Sequence, residues 1–124
     1  MGQTKSKART ICAADFSPEG VFPLEITFKS KDRELTIFLK GELDHHGAKK
    51  TMHTIDELME LEIPRVTTLD LQHLSFMDSS GIAVLLRAYR RMNDSGGGLV
   101  VRNVPSQSLR VLQAAGLNRL ISFC

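Results

Sequence analysis

Cysteine is scarce in this sequence: Cys12 and Cys124 lie near opposite ends, with no Cys-x-x-Cys pair and no larger even set that would staple a small secreted domain. A reducing, cytoplasmic setting is expected. No apolar run approaches the ~18 residues of a membrane-spanning helix. The Lys- and Arg-bearing start gives way to Ala13-Ala14-Asp15-Phe16-Ser17-Pro18, where a secretory signal would carry an apolar core. Met1 to Ser6 fits a short myristoylation pattern, read here as coincidence, so no membrane partner is expected. An excess of one charge is also missing. Sixteen Lys and Arg face fourteen Asp and Glu for a net charge of +2, and Lys5, Lys7 and Arg9 precede the first acid at Asp15. The body beyond is close to neutral and offers no basic face for DNA.

Several kinds of chemistry are missing as well. His45, His46, His53 and His73 show no His-x-x-x-His spacing and no cysteine pairing; His45 and His46 are adjacent in a first helical turn and expected to point apart, so no metal site is predicted. A serine hydrolase elbow would need glycine where Met77 stands. Gly96-Gly97-Gly98 links a helix to a strand, the reverse of the order that cradles a nucleotide phosphate, and no P-loop occurs. Asp70 and Asp78 lack the acidic pair and late lysine of an aspartyl-phosphate receiver. Neither an enzyme nor a cofactor is expected.

What is present is the composition of an ordinary soluble domain, 42% hydrophobic and 24% charged over 124 residues, enough for one core. Residues 1–22 carry no sustained period and end in Pro18-Glu19-Gly20 and Pro23, which predicts a flexible N-terminal extension before a domain at 23–124. Leu24, Ile26 and Phe28 alternate with polar residues. After a turn at residues 30–34, Leu35, Ile37 and Leu39 do the same, which predicts a hairpin with one buried face. Ala48, Met52, Ile55 and Met59 mark one face of a helix from His45 to Leu61, with Asp44 as its cap. Val66 to Leu71 reads as a central strand covered on both sides. Ile82, Leu85, Leu86, Tyr89 and Met92 mark a second helix capped by Asp78 or Ser79, with the methionines as core filler. Leu99-Val100-Val101 is a strand, Pro105 opens a third helix striped by Leu109, Leu112 and Ala115, Gly116 closes it, and Leu120 to Phe123 is a last strand. The order β-β-α-β-α-β-α-β predicts an α/β fold with a mixed sheet flanked by helices.

The segment richest in chemistry is Ser75-Phe76-Met77-Asp78-Ser79-Ser80-Gly81, which places small hydroxyls at a helix start, where free N–H groups and the helix dipole favour negative charge. Plain N-capping explains the same residues. Together with Gly41-Glu42-Leu43-Asp44-His45-His46, this segment resembles the two signatures of bacterial anti-sigma factor antagonists, single-domain members of the STAS family, and is most similar to the sporulation type. The resemblance runs over residues 24–123 and includes Gly96-Gly97-Gly98 and the Ala115-Gly116-Leu117 corner. Two departures are Gly47, where many relatives carry threonine, and the longer extension.

The resemblance implies a STAS-like fold and a switch in which a partner anti-sigma factor, itself a serine kinase that supplies the ATP, phosphorylates a serine at the start of the second helix. By position that serine is Ser79, with a serine phosphatase resetting it. Unphosphorylated protein would bind the anti-sigma factor and free the sigma factor. Glu42, Asp44, Met77, Asp78, Ser79, Ser80 and Gly81 are the partner-facing residues it implies, with Glu42 and Asp44 meeting basic groups. Ser80 reads as a first-turn neighbour and Gly81 as a packing residue. A phosphate of about −1.5 to −2 charge beside Asp78 would build a negative cluster that a surface fitted to a hydroxyl rejects. The alternative is a STAS scaffold subunit of a stressosome-like or transport-associated complex, with the extension making the key contacts.

Overall fold

The computed structural model describes residues 24–123 in full and the backbone of residues 7–12. Six strands form one sheet in chain order: β1 (Lys7–Cys12), β2 (Glu25–Lys31), β3 (Glu34–Leu43), β4 (Val66–Met77), β5 (Gly98–Arg102) and β6 (Ser122–Phe123). The pairs β1/β2 and β2/β3 are antiparallel, and β3/β4, β4/β5 and β5/β6 are parallel. The parallel strands are joined by α1 (His45–Glu62), α2 (Ser80–Asp94) and α3 (Ser106–Ala114), the last followed by a short 3-10 turn at Leu117–Arg119. This is the mixed α/β sheet expected from the hydrophobic pattern. The exception is β1, which lies inside the stretch read as an extension and adds a strand to the β2 edge.

The hairpin turn is tighter than the polar run suggests. Lys31 pairs with Glu34, and Asp32 and Arg33 alone make the turn, both with positive φ (53° and 61°), the handedness that suits the twist of a two-residue hairpin. The Arg33 carbonyl then accepts the Arg65 N–H at 2.7 Å, tying this turn to the start of β4. Along the hairpin, Ile26, Phe28, Leu35, Ile37 and Leu39 are buried, as the alternation predicts.

β4 is the central strand, but it runs to Met77, well past the expected end at Leu71. Its pairing with β3 carries two register shifts, between Phe38 and Lys40 and between Gly41 and Glu42, each leaving an extra residue on β4. These bulges break the period of two: Gln72 and His73 are both exposed, Leu74 is buried, Ser75 and Phe76 are exposed, and Met77 is buried again. Alternation therefore fails where the chain is still strand. The Ser75 hydroxyl donates to the Gly41 carbonyl at 3.0 Å across the second bulge.

The helix faces follow the predicted stripes with shifts. On α1, Ala48, Ile55, Leu58 and Met59 are buried and Met52 is half-buried; on α2, Val84, Leu85, Ala88 and Met92 form the buried side, leaving Leu86 and Tyr89 partly exposed. On α3, Leu112 is buried, while Ala115, the residue just past the helix end, is exposed. Pro105 is the extended residue before the helix, one position earlier than expected, and the final strand shrinks to Ser122–Phe123 because the 3-10 turn precedes it. Arg87 of α2 donates to Asp56 Oδ2 of α1 through Nη2 at 2.7 Å and Nε at 2.9 Å. That hydrogen bonding, and then the charge of Asp56, raises the guanidinium pKa above its ordinary value. No helix among the described residues is long and apolar enough to cross a membrane.

Between α2 and β5 the chain passes Arg65 closely. The Gly98 N–H donates to the Arg65 carbonyl at 3.0 Å, and a Cβ at Gly97 would lie 2.5 Å from that oxygen and 2.6 Å from Met92 Cε. A Cβ at Gly98 meets nothing within 4 Å. Gly97→Ala is therefore expected to lower stability by about 1–3 kcal/mol through overpacking, and Gly98→Ala to stay within about 0.5 kcal/mol. Urea denaturation of the two variants checks the contrast, and equal effects would contradict it.

Candidate functional site

The site forms where β3 and β4 end side by side and hand the chain to α1 and α2. Leu43 pairs with Met77, so Asp44 and Asp78 leave the sheet at neighbouring positions, and the Asp78 N–H donates to the Leu43 carbonyl at 3.3 Å. Asp44 is the extended N-cap of α1. Its Oδ1 accepts from the His46 N–H at 3.0 Å and the Gly47 N–H at 3.3 Å, as the sequence predicts.

The second helix is capped less simply. Ser79 occupies the position before α2, with helical φ and ψ (−63° and −17°) and no side-chain capping bond. Asp78 does that work: its Oδ1 accepts from the Ser80 N–H at 2.7 Å, and its Oδ2 accepts from the His45 N–H at 3.2 Å, the first residue of the other helix. One carboxylate thus satisfies free donors of two helix starts and holds them together. The consequence for Ser79 is direct. Its residue is exposed, and its hydroxyl makes no hydrogen bond among the described residues.

The remaining residues of the two motifs divide by burial. Met77 is fully buried and Gly81 is buried, so neither offers surface; they shape the loop from beneath. A Cβ at Gly81 would meet Met77 Cγ at 2.5 Å and Sδ at 2.8 Å, so only glycine lets the first turn of α2 sit on that side chain. Glu42 is exposed, and Asp44, Asp78 and Ser80 are half-buried. Ser80 lines an open groove of about 590 Å³ between the helices with His45, His46, Lys49, Met52 and Ala83. His45 and His46 meet edge to face with ring centroids 5.7 Å apart instead of pointing apart. Among the described residues no group of three His, Cys, Asp or Glu side chains is arranged to hold a metal.

Two residues that the motif reading leaves aside belong to this region. Phe76 is 39% exposed, a large aromatic ring residue on the surface next to Glu42, its partner in the β3/β4 register. The SFMD motif contains it, but the expected alternation would not distinguish it from a core residue. Gln107 of α3 bonds the backbone of Met77 from the other side, with the Met77 N–H donating to Oε1 at 2.9 Å and Nε2 donating to the Met77 carbonyl at 2.8 Å. Nothing in the sequence around Gln107 signals a contact with a strand thirty positions earlier.

This geometry separates the roles of two adjacent residues. Asp78→Ala removes the acceptor for two helix starts and is expected to lower stability by about 1–2 kcal/mol, whereas Ser79→Ala removes an exposed, unbonded hydroxyl and should change it by less than about 0.5 kcal/mol. Thermal and urea unfolding of both variants, side by side, provide the check.

Comparison with known proteins places this arrangement. The model of the STAS domain matches residues 25–124. The chain is 34% identical over 98 residues to the anti-sigma F factor antagonist of Paenibacillus polymyxa, covering 79% of this chain and 84% of the relative. It is 27% identical over 99 residues to the anti-sigma-B factor antagonist of Listeria monocytogenes, covering 79% and 86%. Among solved structures it is similar to the anti-sigma factor antagonist SpoIIAA in its unphosphorylated form, with a TM-score of 0.70 and 26% identity over 80% of this chain and 87% of that one. It is also similar to the Bacillus cell fate determinant SpoIIAA in the phosphorylated form, with a TM-score of 0.59 and 27% identity over 74% and 83%. With a family model spanning strands β2 to β6, the helices and both loop motifs, and relatives that share most of its length, the chain belongs to the STAS domain family of bacterial anti-sigma factor antagonists.

Proposed function

We propose that this protein antagonises an anti-sigma factor by binding it in the unphosphorylated state, and that phosphorylation of Ser79 by that partner, a serine kinase using ATP, ends the binding. The observation that carries this reading is the state of Ser79: an exposed hydroxyl without a hydrogen bond among the described residues, set on a backbone that Asp78 holds in helical geometry. A hydroxyl that serves as a cap must give up its bond to react. This one has no such bond to give up, and Asp78 keeps the helix start in place while it is modified.

The surroundings account for the sign of the switch. Asp78 is drawn to the start of α1 by the His45 N–H, which brings it near Asp44, and Glu42 is exposed at the end of β3. These acids suit basic groups on a partner, with Phe76 as an apolar anchor beside them. Adding about −1.5 to −2 charge at Ser79 concentrates negative potential on a surface that the partner meets as a hydroxyl. The host fold tolerates the same phosphate because the N–H groups and dipole of α2 favour it. That related structures in both states share this fold supports a change of surface without a change of architecture. The protein acts in this reading as a cytoplasmic binding partner and not as a catalyst, and a separate phosphatase restores it.

The test pairs modification with binding. Incubation with the cognate kinase and ATP is expected to add a single phosphate at Ser79, located by phosphopeptide mass spectrometry and lost in Ser79→Ala. By calorimetry, Ser79→Ala should bind the unmodified partner as the wild type does, while Ser79→Asp should bind about 100-fold more weakly, near 2.7 kcal/mol. Tight binding by the folded Asp variant would refute the switch.

A further inference from the structure

β4 outruns its neighbour. Its pairing with β5 ends at Asp70 and Arg102, yet the strand continues to Met77, so the β5-side edge of its last residues has no strand beside it. Side chains stand in for the missing strand at both ends of that edge. Asp70 Oδ1 accepts the Gln72 N–H at 3.0 Å, while its Oδ2 receives Arg102 at 3.2 Å and Asn103 at 3.1 Å. At the far end Gln107 answers both polar groups of the Met77 backbone, as an adjacent peptide would. On the opposite edge the next residue, Asp78, donates its N–H to the Leu43 carbonyl.

We infer that Gln107 is a positioning residue for the acceptor loop: its side-chain amide clamps the Met77 peptide and thereby fixes where Asp78 and Ser79 leave the sheet. The inference rests on the reading of Ser79 as the phosphoacceptor. Asp78 reaches the His45 and Ser80 N–H groups only if its backbone leaves Met77 in this direction, and Met77 itself is fully buried, with backbone groups that would otherwise need another partner. Gln107 is held in turn by the first turn of α3, whose neighbouring Ser108 and Leu112 are buried. The placement of α3 on the sheet is thus transmitted to the loop through a single amide group. Because Gln107 is an exposed residue, replacing it opens no core cavity.

The experiment compares wild type, Gln107→Ala, Gln107→Glu and, as a control, the exposed neighbour Ser106→Ala. Amide hydrogen exchange is followed by NMR on the full unphosphorylated chain, and Ser79 phosphorylation is followed with the cognate ATP-dependent kinase. Gln107→Ala is expected to speed exchange at Met77 by about tenfold, and at Ser80 and His45 severalfold, with Leu69 and Leu71 unchanged. It should also lower kcat/KM for Ser79 phosphorylation by about tenfold, since a small misplacement of a reacting group is costly. Gln107→Glu keeps the acceptor but sets an oxygen against the Met77 carbonyl, so it should loosen the same three amides. Ser106→Ala should alter nothing. Unchanged exchange at Met77 in the Ala variant, or wild-type behaviour of the Glu variant, overturns the clamp. Faster exchange at Met77 alone, with Ser80, His45 and the phosphorylation rate unmoved, overturns the positioning role. A wild type that takes no phosphate on Ser79 overturns the switch reading instead, and the clamp then stands or falls on the three amides.

Discussion

The arrangement of the site depends on one carboxylate shared by two helix starts. Asp78 sends one oxygen to the Ser80 N–H of α2 and the other to the His45 N–H of α1. Each helix start leaves N–H groups without partners and carries a partial positive charge, so an anion between two of them is favoured by both. The same bond geometry fixes the distance between the helices at their sheet end, while Arg87 and Asp56 join them further along. With Asp78 capping α2, Ser79 keeps its place in the helical geometry without using its hydroxyl. Structural support and the proposed phosphoacceptor are thereby divided between adjacent residues.

The two motifs were legible in the sequence because their chemistry is local. Asp44 caps the helix that follows it, Asp78 caps the next, and the small residues after each sit where a first turn needs them. Burial inside the motifs was legible only at Gly81, read as a packing residue, since a stretch of seven residues says little about which side chains a sheet covers: Met77 proves to be interior, and Phe76 emerges. The hairpin and the buried faces of α1 and α2 followed from periodicity, with errors of a position or two on α2 and α3 where flanking residues compete for the same stripe. The far half of β4 was hidden by its bulges, which shift the phase of alternation twice. Strand β1 left no sign because Lys7 to Cys12 shows no alternation of apolar and polar residues, and its pairing depends on the edge that β2 presents. Gln107 was hidden for another reason: a side chain that completes a distant strand has no local signature at all.

The bulges and the clamp are two parts of one construction. A regular β4 of the same length would have kept its phase with β3 and delivered a different residue to the buried position where Met77 sits opposite Leu43. Each extra residue advances β4 by one, so that Met77 points inward and Asp78 follows it out of the sheet. Such a bulged strand end is weakly held by its ladder alone. The bond from Ser75 to Gly41 on one side and from Gln107 to Met77 on the other supply what the irregular ladder lacks.

A phosphorylation switch on a frame of this kind has to act at the surface, because the interior leaves it nowhere else to act. Beneath Ser79 the first turn of α2 is seated directly on Met77, so closely that a single added carbon at Gly81 would collide with it. The loop therefore has little room to sink and bury a new charge. Outward, Asp78, Asp44 and the exposed Glu42 would oppose a phosphate at Ser79 in the proposed switch, while the dipole of α2 and Lys49, which lines the groove with Ser80, would favour one. In the proposed switch, a charge that cannot be buried beneath Ser79 stays at the surface, where it would be presented to whatever docks there.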